Sequence, residues 1–237
     1  MRGARKPVLS GPIWAESARR RAQVVRRVCE ALGAAYGTPR LGNPRKPLDD
    51  LVYIILSNKT APHTAARVYS RMKQRFPSWQ GLLRVRPSAL RSLLKPAGLS
   101  RVKSTQLRGA MRKIDCDLGR CSLHDLGSWP VGDAEAYLTS LPGVSLKVAK
   151  CVVMFTLEGQ VLPVDAHVHR IAGRLGWTMR KRADQCHEEL ELLVPPHRRF
   201  GLHVGCVSHG RRVCRPARPL CEMCCIRAYC AYTKPNG

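Results

Sequence analysis

The chain has 237 residues, with 41 lysines and arginines against 16 aspartates and glutamates, a formal net charge of +25. Its hydrophobic fraction of 44% is ordinary for a folded protein, so composition excludes a disordered chain and does not suit an acidic metabolic enzyme. A polyanionic partner, most simply nucleic acid, is the leading inference; a chain made soluble by charge alone, or addressed to an organelle, is the alternative.

In chain order, residues 1–14 read as a basic tail without the apolar stretch of a secretory leader. The expected location is therefore the cytoplasm, at the nucleoid. Because the first acidic residue is Glu16, an organelle or the nucleus stays open for a eukaryotic chain. A helix is predicted over 15–35, with Val24, Val25, Val28 and Leu32 on one face and Arg19, Arg20, Arg21, Arg26 and Arg27 over much of the rest. Glycine and proline breaks make 37–46 a connection. Helices of about three turns are predicted over 48–56, 65–76, 88–94, 102–114, 133–140 and 145–157. No segment keeps a two-residue alternation, and no apolar run approaches the roughly 18 residues of a membrane span. The fold class is all-α, with no membrane partner.

The turn Leu141-Pro142-Gly143-Val144-Ser145 separates two of these helices. Proline and glycine make it tight, and Ser145 can cap the helix that follows. Outward-pointing amides at such a helix start suit a phosphate oxygen, although a plain helix corner has the same pattern. Further on, Asp165 follows an apolar run and reads as the N-cap of a helix over 166–175.

Eleven cysteines, an odd number, argue for reduced thiols rather than a disulfide framework. Cys214, Cys221, Cys224 and Cys230 lie six, two and five residues apart, with Cys225 a spare thiol beside them. Four thiolates in so short a stretch can close around one metal centre, and the spacing fits either zinc or a four-iron cluster. Arg211 and Arg212 precede this loop, and Arg215 and Arg218 lie in it; they suit contact with a phosphate backbone.

Three features together resemble the helix-hairpin-helix signature of the endonuclease III family of DNA glycosylases. They are Leu141-Pro142-Gly143-Val144-Ser145-Leu146-Lys147-Val148-Ala149 followed by Val164-Asp165-Ala166-His167-Val168-His169-Arg170, Gly98-Leu99 with Lys103 four positions on, and the cysteine spacing. The resemblance runs from about Leu48 to Tyr232. It implies two domains: a helical bundle over 47–159 that carries the hairpin, and a cluster domain built from 15–46 plus 160–237. It implies base excision repair by a bifunctional glycosylase and AP lyase, a monomer that removes oxidised pyrimidines and nicks the strand by β-elimination. The partner is double-stranded DNA holding a damaged base or an abasic site.

By the same resemblance Lys147 is the nucleophile and Asp165 the second catalytic group. Free lysine titrates near 10.4, so the site must favour the neutral amine, through burial and the positive end of the helix beside it. Gly143, Ser145, His167, Arg211 and Arg212 are expected at the DNA, and Leu99 matches the wedge that enters the duplex. The resemblance assigns Cys214, Cys221, Cys224 and Cys230 to a [4Fe–4S] cluster. The chain also departs from the pattern. Lys59 stands where the best-known members carry glutamine, and an ammonium donates but cannot accept. Ser145 replaces a usual second glycine and is expected to loosen phosphate approach. Ala166 replaces a threonine, and Val148 and Lys150 replace more usual small or polar residues. These departures keep open a different specificity, for uracil, a mismatch or an alkylated base, or a DNA-binding iron–sulfur protein without catalysis.

Overall fold

The computed structural model describes residues 13–39 and 41–232. Among them are eleven α-helices, several short 3-10 turns and no strand. The chain divides into two compact units, Met1–Leu41 with Gln160–Gly237, and Gly42–Gly159.

The first unit opens on helix α1 (Ala18–Tyr36), capped by the Ser17 hydroxyl, which accepts from the Arg20 amide at 3.4 Å, and ended by Gly37 at φ +64°. The cap explains why the helix starts at 18 rather than 15. The expected tail is also too long at its end. Ile13 is fully buried, its amide donates to the Gly176 carbonyl at 2.9 Å, and the Trp14 indole donates to the Trp177 carbonyl at 3.0 Å. Ile13 thus joins the core, while Trp14 stays exposed and docks through its indole N–H; residues 1–12 lie outside the described residues.

The second unit is built around α2 (Pro47–Ser57), buried from Leu48 to Leu56. Such a helix needs apolar residues all round, and this one departs only at Asp49 and Asp50. The Asp49 carboxylate accepts from Lys73 Nζ at 2.8 Å and from the Trp79 indole at 2.6 Å. There follow α3 (Pro62–Arg75), α4 (Gly81–Arg84), α5 (Pro87–Leu94), α6 (Ser100–Leu118), α7 (Val131–Ser140) and α8 (Leu146–Thr156). Helix α2 packs on α3, α6 and α8, while α4 and α5 cover α6. Prolines at the first turns of α2, α3 and α5 occupy places where an amide would go unbonded.

The first unit resumes with α9 (Ala166–Arg174), α10 (His187–Leu193) and α11 (Pro196–Arg212). Helix α11 packs on α1 and α9. It approaches α1 closely: a Cβ at Gly205 would sit 3.0 Å from the Leu32 Cβ. Apolar periodicity missed α10 and α11. Helix α11 is buried from Leu202 to Gly210, where His203, Gly205, Ser208, His209 and Gly210 interrupt Leu202, Val204, Cys206 and Val207, so no clean apolar period marks it. Helix α6 runs to 19 residues, beyond the predicted 102–114. No described helix is long and apolar enough to cross a membrane.

Truncating Ile13 tests its place in the core. Ile13→Ala should lower stability by about 2–4 kcal/mol in chemical denaturation, the usual cost of emptying a buried isoleucine site. An unchanged midpoint would return Ile13 to the tail.

Candidate active site

In the Gly42–Gly159 unit, α7 and α8 meet at the hairpin turn. Leu141 and Val144 are buried and anchor it, leaving Pro142, Gly143 and Ser145 exposed. The Val144 amide donates to the Leu141 carbonyl at 3.1 Å. Gly143 has φ +79°, and a Cβ there would overlap the Gln106 side chain of α6. Only glycine meets both conditions. Ser145 caps α8, accepting from the Val148 amide at 3.4 Å, with φ −82°. Serine therefore costs nothing in backbone strain where a second glycine is usual.

Lys147 is the second residue of α8 and is half-buried at the helix's positive end. Lys150, a competing amine three positions on, is buried and donates to the Glu135 carboxylate at 2.8 Å. Asp50 of α2 is fully buried; one of its oxygens accepts from Asn43 Nδ2 at 2.6 Å, while Oδ2 has no hydrogen-bond partner. Burial pushes its carboxyl up to about 7, against the opposing pulls of the Asn43 hydrogen bond and the Lys147 charge. Sequence reasoning passed over this group. The available signal was a second carboxylate at the start of an otherwise apolar helix.

Lys59 lies between α2 and α3 and Leu99 immediately before α6, both exposed and both left-handed, at φ +52° and +48°. Leu99 is 53% exposed, so it is not the buried helix-start residue that its type alone suggests.

In the other unit, Asp165 caps α9. Its Oδ1 accepts from the amides of His167 and Val168, both at 2.8 Å. The segment leading to it is held from several sides. Arg199 donates to the Gln160 carbonyl at 2.6 Å, the Leu162 amide donates to Glu191 at 2.6 Å, and His203 contacts the Pro163 carbonyl at 2.9 Å. His167 Nδ1 accepts from Arg170 at 3.1 Å. Burial, then the charges of Arg170 and Arg211, hold its imidazole below the ordinary value, while Asp165 pulls the other way. A Cβ at Gly210 would overlap His167, which fixes how closely α11 approaches α9. Arg211 and Arg212 close α11 and are exposed, with Arg212 stacked 5.8 Å over the Tyr36 ring.

Cys214, Cys221, Cys224 and Cys230 are all free thiols on the loop after α11. Burial first, then the neighbouring Cys225, Cys230 and Cys214, push the Cys224 thiol up to about 11, against a backbone hydrogen bond at Ile226. Arg174 donates to the Cys214 sulfur at 3.1 Å, and His209 Nε2 lies 3.4 Å from the Cys224 sulfur, with its Nδ1 2.8 Å from the Tyr36 hydroxyl. No three His, Cys, Asp or Glu side chains among the described residues converge as ligands of a single ion. Four thiols on one loop, met by side-chain N–H groups, fit the donor set of an iron–sulfur cluster, whose separate irons need ligands spread apart. Arg174 and Tyr36 had no signal in the sequence, being far from the cysteines along the chain.

Residues 52–196 match the family described as HhH-GPD superfamily base excision DNA repair protein. The chain is similar to Endonuclease III of Thermotoga maritima, 29% identical over 84% of this chain and 89% of that protein. It is 30% identical to Endonuclease III of Synechocystis sp., over 78% of this chain and 80% of that one. Among solved structures, a non-covalent Endonuclease III–DNA complex superposes with a TM-score of 0.78 at 20% identity, covering 88% of this chain and 94% of the other.

The buried Asp50 carboxyl sets a pH dependence. Its folded value, about 7, lies above the ordinary 3.8, so folding favours the protonated form. The stability it supports is complete below about pH 4 and is lost as pH rises through about 7. Asp50→Asn should therefore be more stable than the parent at pH 8, by about 2–4 kcal/mol, with the difference closing toward pH 4. Urea denaturation across this range checks it, and parallel curves for the two proteins would refute it.

Proposed function

We propose that this chain, which belongs to the HhH-GPD superfamily of base excision DNA repair proteins and is a DNA glycosylase of the endonuclease III kind, couples base removal to strand nicking. Its proposed substrates are oxidised pyrimidines in duplex DNA, and it acts as a monomer. The observation that carries the reading is the placement of Lys147: it opens α8 directly after a turn that only glycine can make, while Lys150 is committed to Glu135.

An unprotonated amine at Lys147 attacks the sugar C1′ carbon. The bond from C1′ to the base breaks, and the base leaves with the electron pair. The bound amine sheds one proton, the C1′–O4′ bond breaks with its electron pair going to O4′, which takes up a proton, and a protonated Schiff base to C1′ results. Removal of a C2′ proton then expels the 3′ phosphate, and water releases the enzyme. The amine stands at the positive end of α8. Asp165 stabilises positive charge developing on the sugar, or takes the proton that the amine gives up. The exposed hairpin amides and the cations Arg211 and Arg212 bind phosphates, in keeping with the +25 charge. Cys214, Cys221, Cys224 and Cys230 would hold a [4Fe–4S] cluster, which when bound braces the loop carrying Arg215 and Arg218.

Lys59 favours a second reading, in which the lesion is uracil, a mismatch or an alkylated base. A panel of duplexes each carrying one lesion separates the two: release of oxidised pyrimidines alone supports the first, and of the other bases the second.

Protein purified without oxygen should be yellow-brown and contain about four irons per chain. Stoichiometric zinc in place of iron would contradict the cluster assignment. Borohydride should trap the protein on abasic duplex DNA, and Lys147→Gln should cut trapping by at least about a hundredfold with duplex binding retained. Undiminished trapping by Lys147→Gln would remove Lys147 from its role.

A further inference from the structure

Lys103, on the second turn of α6, is buried at 2% exposure. Its ammonium donates to the Leu56 carbonyl at 2.7 Å, the Thr60 hydroxyl at 2.6 Å and the Ala97 carbonyl at 2.9 Å. These bonds use its three protons, and all three acceptors are neutral oxygens. Burial lowers its pKa, as expected for a cation facing no carboxylate in these contacts. A methionine of the same length would fill the space without desolvating a charge, so the ammonium is an expensive way to pack a helix.

Its contacts fall on two loops. Leu56 and Thr60 bracket the turn that carries Lys59, and Ala97 precedes Gly98 and Leu99. The Thr60 hydroxyl also donates to the Ala97 carbonyl at 2.6 Å, which stitches the loops to each other. Among the described residues only four non-glycines have positive φ, and two of them are Lys59 and Leu99. Left-handed non-glycine residues persist where the surroundings hold them, and here the same buried ammonium holds both.

We infer that Lys103 is a positioning residue for duplex opening, tying the Lys59 loop and the Leu99 turn into one rigid unit that presents both exposed side chains together. The inference rests on the glycosylase reading above. Lys103 itself touches no DNA. It sets the directions of two side chains that would enter the space left by an extruded nucleotide. A base already free of a duplex needs no such opening, so single-stranded substrate bypasses the device.

The test uses the full chain and one abasic sequence, presented as duplex and as single strand. Lys103→Met should lose about tenfold in borohydride trapping on the duplex and stay within about twofold of the parent on the single strand, because misplacing a positioning group acts only where position matters. Thr60→Val, which removes the bridging hydroxyl and leaves the ammonium, should move the same ratio in the same direction and decides the matter if Lys103→Met does not fold. In a Leu99→Ala background, Lys103→Met should cost much less than it does alone, since the side chain it positions is already gone. Equal losses on duplex and single strand, or full additivity with Leu99→Ala, would overturn the inference and leave Lys103 a stabilising residue only. A second readout needs no lyase chemistry: 2-aminopurine opposite a tetrahydrofuran abasic analogue should brighten when the parent protein binds and stay dim with Lys103→Met at saturation. If the parent traps nothing, the lyase reading fails, and this fluorescence still decides the role of Lys103: equal brightening by parent and variant, or none by either, counts against it.

Discussion

Gly143 turns at φ +79° directly against the Gln106 side chain, so the α7–α8 hairpin closes only if position 143 has no Cβ and α6 lies where it does. Much of the Gly42–Gly159 unit is referred to that helix. Lys103, Gln106 and Gly109 lie along α6 within two turns. Lys103 fixes the loops at 56–60 and 97–99, Gln106 fits over Gly143, and Gly109 leaves only 3.0 Å between its missing Cβ and Pro142. The exposed turns of the hairpin, of Lys59 and of Leu99 are thus set by one element rather than by three independent loops. Loops that bind substrate gain accuracy when a rigid element positions them. Lys147 inherits its place from the same constraint, since Ser145 caps α8 only when the turn before it has closed.

The two units bury different kinds of polar group. The four buried ions, Asp49, Asp50, Lys103 and Lys150, all belong to the Gly42–Gly159 unit, whereas the other buries His187, His203 and His209. All four have explicit partners: Asp49 with Lys73 and Trp79, Asp50 with Asn43, Lys103 with three oxygens, and Lys150 with Glu135. Asp50 keeps one oxygen unbonded and interacts with the Lys147 charge. Burial raises the pKa of Asp50 and lowers that of Lys103. The buried imidazoles do different work. His187 and His203 grip the carbonyls of Leu162 and Pro163, three and two residues before Asp165. They hold a segment without regular structure in the extended form that delivers the α9 cap.

Helices with an unbroken apolar stripe were legible from the sequence, as were turns marked by proline and glycine. Helix α2 and the hairpin needed nothing more than the run 48–56 and the Pro142-Gly143 pair. Helix α11 was not legible, because its buried stretch mixes Leu202, Val204, Cys206 and Val207 with histidine, serine and glycine, which blurs the apolar period. Ile13 was assigned to the tail because two apolar residues after a basic stretch carry no period; their docking on Gly176 and Trp177 is a long-range fact. At the candidate site, residue types marked the turn and the cysteine loop, whereas the role of Lys147 came from the family resemblance. The sequence was silent on Asp50 as a neighbour of Lys147, on Arg174 and His209 beside the thiols, and on the shared anchor of Lys59 and Leu99. Those are matters of which carbonyl or sulfur a side chain meets once the helices have packed.

The central claim is that the amine just inside α8, and no other, forms the bond to DNA. The most direct measurement is to reduce the complex on abasic duplex with borohydride, digest both components and identify the modified peptide by mass spectrometry. The account predicts a sugar-derived mass on Lys147 alone, within the peptide that follows the Gly143 turn. An adduct on Lys150 or Lys59 would contradict it, since the first would have to abandon its buried contact with Glu135 and the second would have to be a nucleophile rather than a probe of the duplex.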